Sequence, residues 1–161
     1  MNIFVLDENP SIAAQYHCDR HVVKMVLESC QLLNIAHAAV HEVKTPYKAK
    51  GFRNHPCSVW VRESLSNYNW LLELGFAISK EYTHRYSKIH KCHQVLLWAK
   101  ENTLPVKDIG LTPFIQAMPD DVQNKDTVTA YRNYYIEYKS HFCTWKNRPI
   151  PSWFNLKGSK S

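Results

Sequence analysis

An all-α fold is predicted for this chain: a compact single-domain bundle of five or six helices with a short extended segment at its N-terminus. Three observations predict it. Apolar residues recur at helical spacing over several long stretches. Helix starts are marked by a capping side chain before a proline or an apolar run, as at Asn9-Pro10 and Asp126-Thr127. Only four glycines occur in 161 residues, which nearly excludes tight hairpins and Gly-rich phosphate loops.

In chain order, residues 2–6 (NIFVL) read as the extended segment. Asn9 then caps a helical turn over 10–16, which leads into a long helix over 18–41. Asp19 is able to start its own turn there, and a break at that point moves His17 relative to the residues after it. Pro46 and Gly51 make 42–55 a loop, and Pro56 opens a helix to about residue 65. Ser66 or Asn67 restarts a helix over 67–86 with Trp70, Leu71, Leu74, Ile78 and Tyr82 on one face. A further helix covers 88–100 through Val95, Leu96, Leu97 and Trp98. The stretch 102–126, with Pro105, Gly110, Pro113 and Pro119, is irregular and long enough to cover a site. Thr127 begins a last helix to about Phe142. Pro149 and Pro151 end the fold before Trp153 and Phe154. No repeat or linker divides the chain, so the domain is 1–154 and the polar stretch 155–161 is a flexible tail.

Composition narrows the function. Hydrophobic residues make up 45% of the chain, enough for a real core, and charged residues only 21%. No apolar run reaches the roughly 18 residues of a membrane span, and MNIFVLDENP lacks the basic start and long apolar region of a secretion signal. Five scattered cysteines form no CxxC pair, which argues for free thiols in a reducing cytoplasm. The net charge of +6, with nine histidines besides, favours anionic partners, either nucleic acid (DNA) or a nucleotide. No basic run is long enough to be a nucleic-acid-binding arm, and nothing in the sequence fixes the oligomeric state.

The main chemical signal is a stripe of polar residues on the first long helix: His17, His21, Lys24, Glu28 and Gln31. At about 100° per residue they stay within about 80° of arc. Val22, Val23, Met25, Val26, Leu27, Cys30, Leu32 and Leu33 cover nearly every other direction. A helix apolar almost all round is normally buried, and buried ionisable groups are costly unless paired or used. A base, an acid and an ammonium in one line therefore mark a candidate acid–base site, with a buried polar network bridging helices as the alternative.

Other constellations supply candidate ligand-binding residues. Asn54 and His55 precede a helix start, where anions are favoured, and Arg62 about two turns further on is placed to clamp a phosphate or pair with Glu28. Arg85 and Lys88 share a helix face with Glu81, with Tyr82 and Tyr86 interleaved. This suits either phosphate contacts or a solvated face. Near the end, tyrosines and tryptophans alternate with Arg132 and Arg148. The aromatics are expected mostly in the core, and the two arginines are the better ligand candidates. No cofactor is expected. His17-x3-His21 is a workable zinc bite, so a metal-dependent hydrolase through those histidines is a third and weaker reading. No G-x-S-x-G elbow is present for a serine hydrolase.

The strings MNIFVLDENPSIAAQYHCDRHVVKMVLE, NHPCSVWVRES, EYTHRYSKIHK, AMPDD and YRNYY…WKNRPIPSWF resemble, over nearly the whole of residues 1–154, an uncharacterised family encoded by tailed phages and some bacteria. That resemblance implies a cytoplasmic phage-type protein found among DNA-metabolism genes, and no activity. A fainter likeness, carried by Ala13-Ala14-Gln15-Tyr16-His17, is to the pyrimidine-dimer DNA glycosylases of the phage endonuclease V type. These are small, basic, all-α proteins with a catalytic glutamate on the first long helix and a nucleophilic N-terminal amine exposed by removal of the first methionine. Counted from His17, the position of that glutamate is Lys24, and Glu28 comes one turn later. Asn2 is bulky, which argues against removal of Met1, so Lys24 is an alternative Schiff-base amine if burial lowers its pKa.

The leading expectation is thus an enzyme acting on nucleic acid or a nucleotide, in its sharpest form DNA base excision. Glu28 is its acid–base carboxylate, Lys24, His21 and His17 its companions, and His55, Asn54, Arg62, Arg85, Lys88, Arg132 and Arg148 its substrate and phosphate ligands. The alternative is a non-catalytic basic accessory protein that binds nucleic acid or a host protein.

Overall fold

In the computed structural model, which describes residues 1–49 and 51–154, every regular element is helical. The tail expected at 155–161 lies outside the described residues. Asn9 accepts from the Ser11 and Ile12 N–H groups and starts α1 (Pro10–Tyr16), with Pro10 at a position where its missing N–H costs nothing. His17 and Cys18 are extended, and α2 (Asp19–Val40) begins anew at Asp19. The break that Asp19 allows is therefore real, and His17 stands outside the long helix.

The His55 ring accepts from Cys57 N–H and caps α3 (Pro56–Glu63). One extended residue, Ser64, separates α3 from α4 (Leu65–Tyr86), which ends on a left-handed Ser87. The next helix, α5 (His93–Glu101), starts later than its apolar pattern predicts. His90 turns its ring back to accept from Cys92 N–H, and this holds the approach to the helix in a turn. Asp126 accepts from the N–H and hydroxyl of Thr129 to cap α6 (Thr127–Tyr134). The helix expected over 127–142 does not stay α-helical: it widens into one π turn, Tyr135–Lys139, and tightens into a 3₁₀ turn, Ser140–Phe142. Such π turns often mark functional positions.

The two long helices α2 and α4 pack against each other at the centre. The shorter α1 lies on α4, α3 touches both, and α5 closes the bundle over α4 and α2. Gly75 permits the close α4–α5 approach, since a Cβ there stands 2.8 Å from Leu96 Cδ2. The N-terminal segment runs through this core: Ile3, Phe4, Val5 and Leu6 are all buried. Burial stabilises by about 1.5–3 kcal/mol for each side chain of this size, which anchors the start of the chain inside the fold.

The long irregular stretch after α5 is tied down by α4. Asp108 accepts from the hydroxyls of Ser64 and Ser66, and Thr112 exchanges hydrogen bonds with Asn67. No helix among the described residues is long and apolar enough to cross a membrane.

Candidate active site

Asn2 fixes the start of the chain. Its side-chain amide donates to Ala117 O at 2.9 Å, and its Oδ1 accepts from Ile3 N–H at 2.8 Å. This places the Met1 amine 3.6 Å from Glu28 Oε1. Lys24 Nζ stands 3.4 Å from the other oxygen, Oε2, one helical turn earlier on α2. A single carboxylate is thus flanked by two amines of different character. The Glu28 side chain is 10% exposed and that of Lys24 63% exposed. Lys24 therefore lies at the rim in solvent, and the burial on which a Schiff-base role for it depends is absent.

These groups line a polar cleft of about 350 Å³. Its floor is Met1, Asn2 and Phe4 with His21, Met25 and Glu28 of α2, and its far wall is Tyr134 and Lys139 around the π turn. His55 and Ala117 complete it. His55 uses Nδ1 as an acceptor for Cys57 N–H, so its proton resides on Nε2, and burial followed by the charge of the Met1 amine lowers its pKa. A larger groove of about 610 Å³ lies over Phe76, Ile89 and His93, with Lys80 and His84 beside them, but its lining holds no carboxylate.

His21 and His17 have separate environments. The His21 ring stacks on Phe4 (4.4 Å between centroids, 25° between planes), and its Nδ1 lies 2.6 Å from the Tyr135 hydroxyl. His17 is fully buried behind Phe4. Its Nδ1 lies 2.6 Å from Ala13 O, and burial drives its pKa down to about 3, which keeps the ring neutral. Its Nε2 has no hydrogen-bond partner among the described residues. The two rings, 6.5 Å apart, point their bonded nitrogens at different partners, so the zinc bite read from their spacing is not formed. Among the described residues no group of three or more His, Cys, Asp or Glu is placed to hold a metal. Beside His21, the Cys18 thiol is held down to about 4, first by its hydrogen bond with Cys143 and then, against burial, by His21.

Of the residues read as phosphate ligands, His55 alone lines the cleft. Arg85 is buried, its Nε donating to Glu81 Oε2 (2.7 Å), Nη1 to Asp19 Oδ1 (3.0 Å) and Nη2 to Gln15 O (3.0 Å). Arg148 completes that network through Glu81, whose pKa the two arginines lower although burial raises it. Arg132 donates to Leu6 O and pairs with Asp7, with Tyr16 and Trp153 against its guanidinium. Arg62 donates to Arg53 O and not to Glu28, whose partners are Met1 and Lys24. Asn54 and Lys88 are exposed and stand outside the cleft lining. Gln31 is half-buried and also lies outside it. Sequence periodicity ranked these cations by helix face, whereas their partners come from distant segments.

The residues that periodicity missed are the Met1 amine, Asn2, Phe4, Tyr134, Tyr135 and Lys139. Near the cleft, the Lys139 ammonium lies over the Tyr134 ring at 5.0 Å and the Arg20 guanidinium over Phe142 at 4.3 Å. The aromatic-basic composition of that segment was the available signal. A family model described as pyrimidine dimer DNA glycosylase matches residues 1–94. No curated protein and no solved structure matches the chain.

Proposed function

From the premise that this chain belongs to the pyrimidine dimer DNA glycosylase family, we propose that it excises damaged pyrimidines from DNA, with the Met1 amine as nucleophile and Glu28 as the acid–base carboxylate. The observation that carries this reading is the 3.6 Å approach of that amine to Glu28 inside a polar cleft. An ammonium is no nucleophile, and Glu28 is the group placed to take its proton. The freed lone pair attacks C1′ of the deoxyribose, and the glycosidic bond breaks with its electron pair leaving on the base. Loss of a proton and opening of the sugar ring give a Schiff base between Met1 and C1′, whose positive charge Glu28 stabilises.

The Met1 amine is buried in the cleft whereas Lys24 stands in solvent, which favours Met1 over Lys24; Lys24 serves by holding the second carboxylate oxygen. The cleft admits a nucleotide extruded from the duplex, and Arg20 and Lys139 on their aromatic supports hold the flanking phosphates. His17, fully buried and neutral, supports Phe4 from behind.

Incubation with ultraviolet-irradiated, uracil-containing and abasic duplexes tests the reading. The wild type is expected to cut the irradiated and abasic duplexes, and Glu28→Gln to lose roughly 10²–10⁴-fold in rate. If both proteins leave all three duplexes intact yet bind them equally, the chain is a DNA binder and not an excision enzyme.

A further inference from the structure

We propose that Tyr135 is a positioning residue for His21, holding the imidazole with its proton on Nε2 so that it donates a hydrogen bond into the cleft. The proposal rests on the reading of this cleft as the excision site. The contact between Tyr135 Oη and His21 Nδ1 is short, 2.6 Å, and both groups are buried. The same hydroxyl accepts from the backbone N–H of Cys18 at 3.3 Å. A hydroxyl that accepts from a backbone N–H still has its own proton to give, and His21 Nδ1 is within hydrogen-bond reach of it. A neutral imidazole accepting at Nδ1 carries its proton on Nε2.

Three further features keep the ring in that orientation. Phe4 stacks on one face of His21 and Phe142 meets it edge-on at 5.5 Å. The π turn that begins at Tyr135 places this hydroxyl on α2, while Tyr134 and Lys139 of the same segment line the cleft. Glu28 lies two turns further along α2, so a donor at His21 and a carboxylate at Glu28 face one substrate from one helix. The donor is suited to a carbonyl oxygen of the departing pyrimidine, on which negative charge develops as the glycosidic bond breaks. Cys18 is the competing acceptor, both for the Tyr135 proton, since it sits beside this hydroxyl, and for a proton on His21, which helps hold its thiol down.

Nitrogen-15 NMR of the imidazole, which distinguishes the two tautomers, is to be combined with kinetics on irradiated duplex for Tyr135→Phe, His21→Gln and the double variant. The wild type is expected to show His21 as the Nε2–H tautomer, and Tyr135→Phe to show a mixture. Tyr135→Phe is expected to lower kcat roughly tenfold with KM unchanged, and to have no further effect in the His21→Gln background. A wild-type Nδ1–H tautomer, with Tyr135 donating to Cys18, overturns the proposal. So does a Tyr135→Phe loss that persists undiminished without His21. The tautomer is read on the resting protein, so failure of the excision reading itself appears separately, as an absence of cutting.

Discussion

Arg85 Nη1 donates to Asp19 Oδ1 across 3.0 Å and so ties the last turn of α4 to the first residue of α2. Asp19 also accepts from the Thr144 hydroxyl and from Lys146 N–H, and thereby joins the start of the helix bearing the cleft residues to the C-terminal segment. An Arg85→Met variant leaves Glu81 and Asp19 without their buried partner. The expected loss is about 3–5 kcal/mol in unfolding free energy by urea titration. DNA affinity of the folded fraction should be unchanged. Retained stability with weakened DNA binding is the opposite pattern, and it means Arg85 is a phosphate ligand.

The cations that meet DNA are expected to be Arg20 and Lys139. Each alanine variant should reduce the slope of log affinity against log salt by about 1, by losing one released counterion. Lys88→Ala, outside the cleft lining, should leave the slope unchanged. Fluorescence anisotropy on a duplex between low and moderate salt measures this. Equal slopes for all three variants contradict the assignment of the rim.

Acid should destabilise the fold well above the carboxylate range. Burial lowers the His17 pKa to about 3 and the His37 pKa to about 4, both from 6.5. The unfolded chain therefore binds more protons than the folded one between those values and 6.5. The stability linked to these histidines, complete above pH 6.5, falls as pH drops, at about 1.4 kcal/mol per pH unit for each. The lowered Cys18 thiol slopes the same way up to pH 9, so the comparison with a variant isolates His17. Urea titrations at pH 7 and pH 5 should show a smaller acid loss, by about 2 kcal/mol, in His17→Asn, whose amide replaces the bond to Ala13 O without titrating. An unchanged pH difference means His17 is charged or solvated in the folded protein.

The helical class, the break at Asp19 and the His21–Lys24–Glu28 line were legible because they rest on local rules: caps, proline positions and the 3.6-residue period. The partners of the cations were not legible because local rules do not see across the chain. Arg85 and Arg148 meet at Glu81 from positions 63 apart, and Arg132 reaches back to Leu6 and Asp7. The Met1 amine escaped notice as a group near Glu28 because only the burial of Ile3 to Leu6 brings the chain start to α2. The π turn was hidden by a pattern that reads as ordinary helix, and with it the place of Tyr135 beside His21 and of Lys139 in the cleft lining.

The central claim, that the Met1 amine beside Glu28 forms the covalent link to DNA, is tested most directly by borohydride trapping. The protein is incubated with an abasic duplex and sodium borohydride, and the cross-linked peptide is identified by mass spectrometry. The adduct is expected on the Met1 amine, undiminished in Lys24→Ala and lost in Glu28→Gln. An adduct on Lys24, or none in a reaction where the duplex is cut, contradicts it.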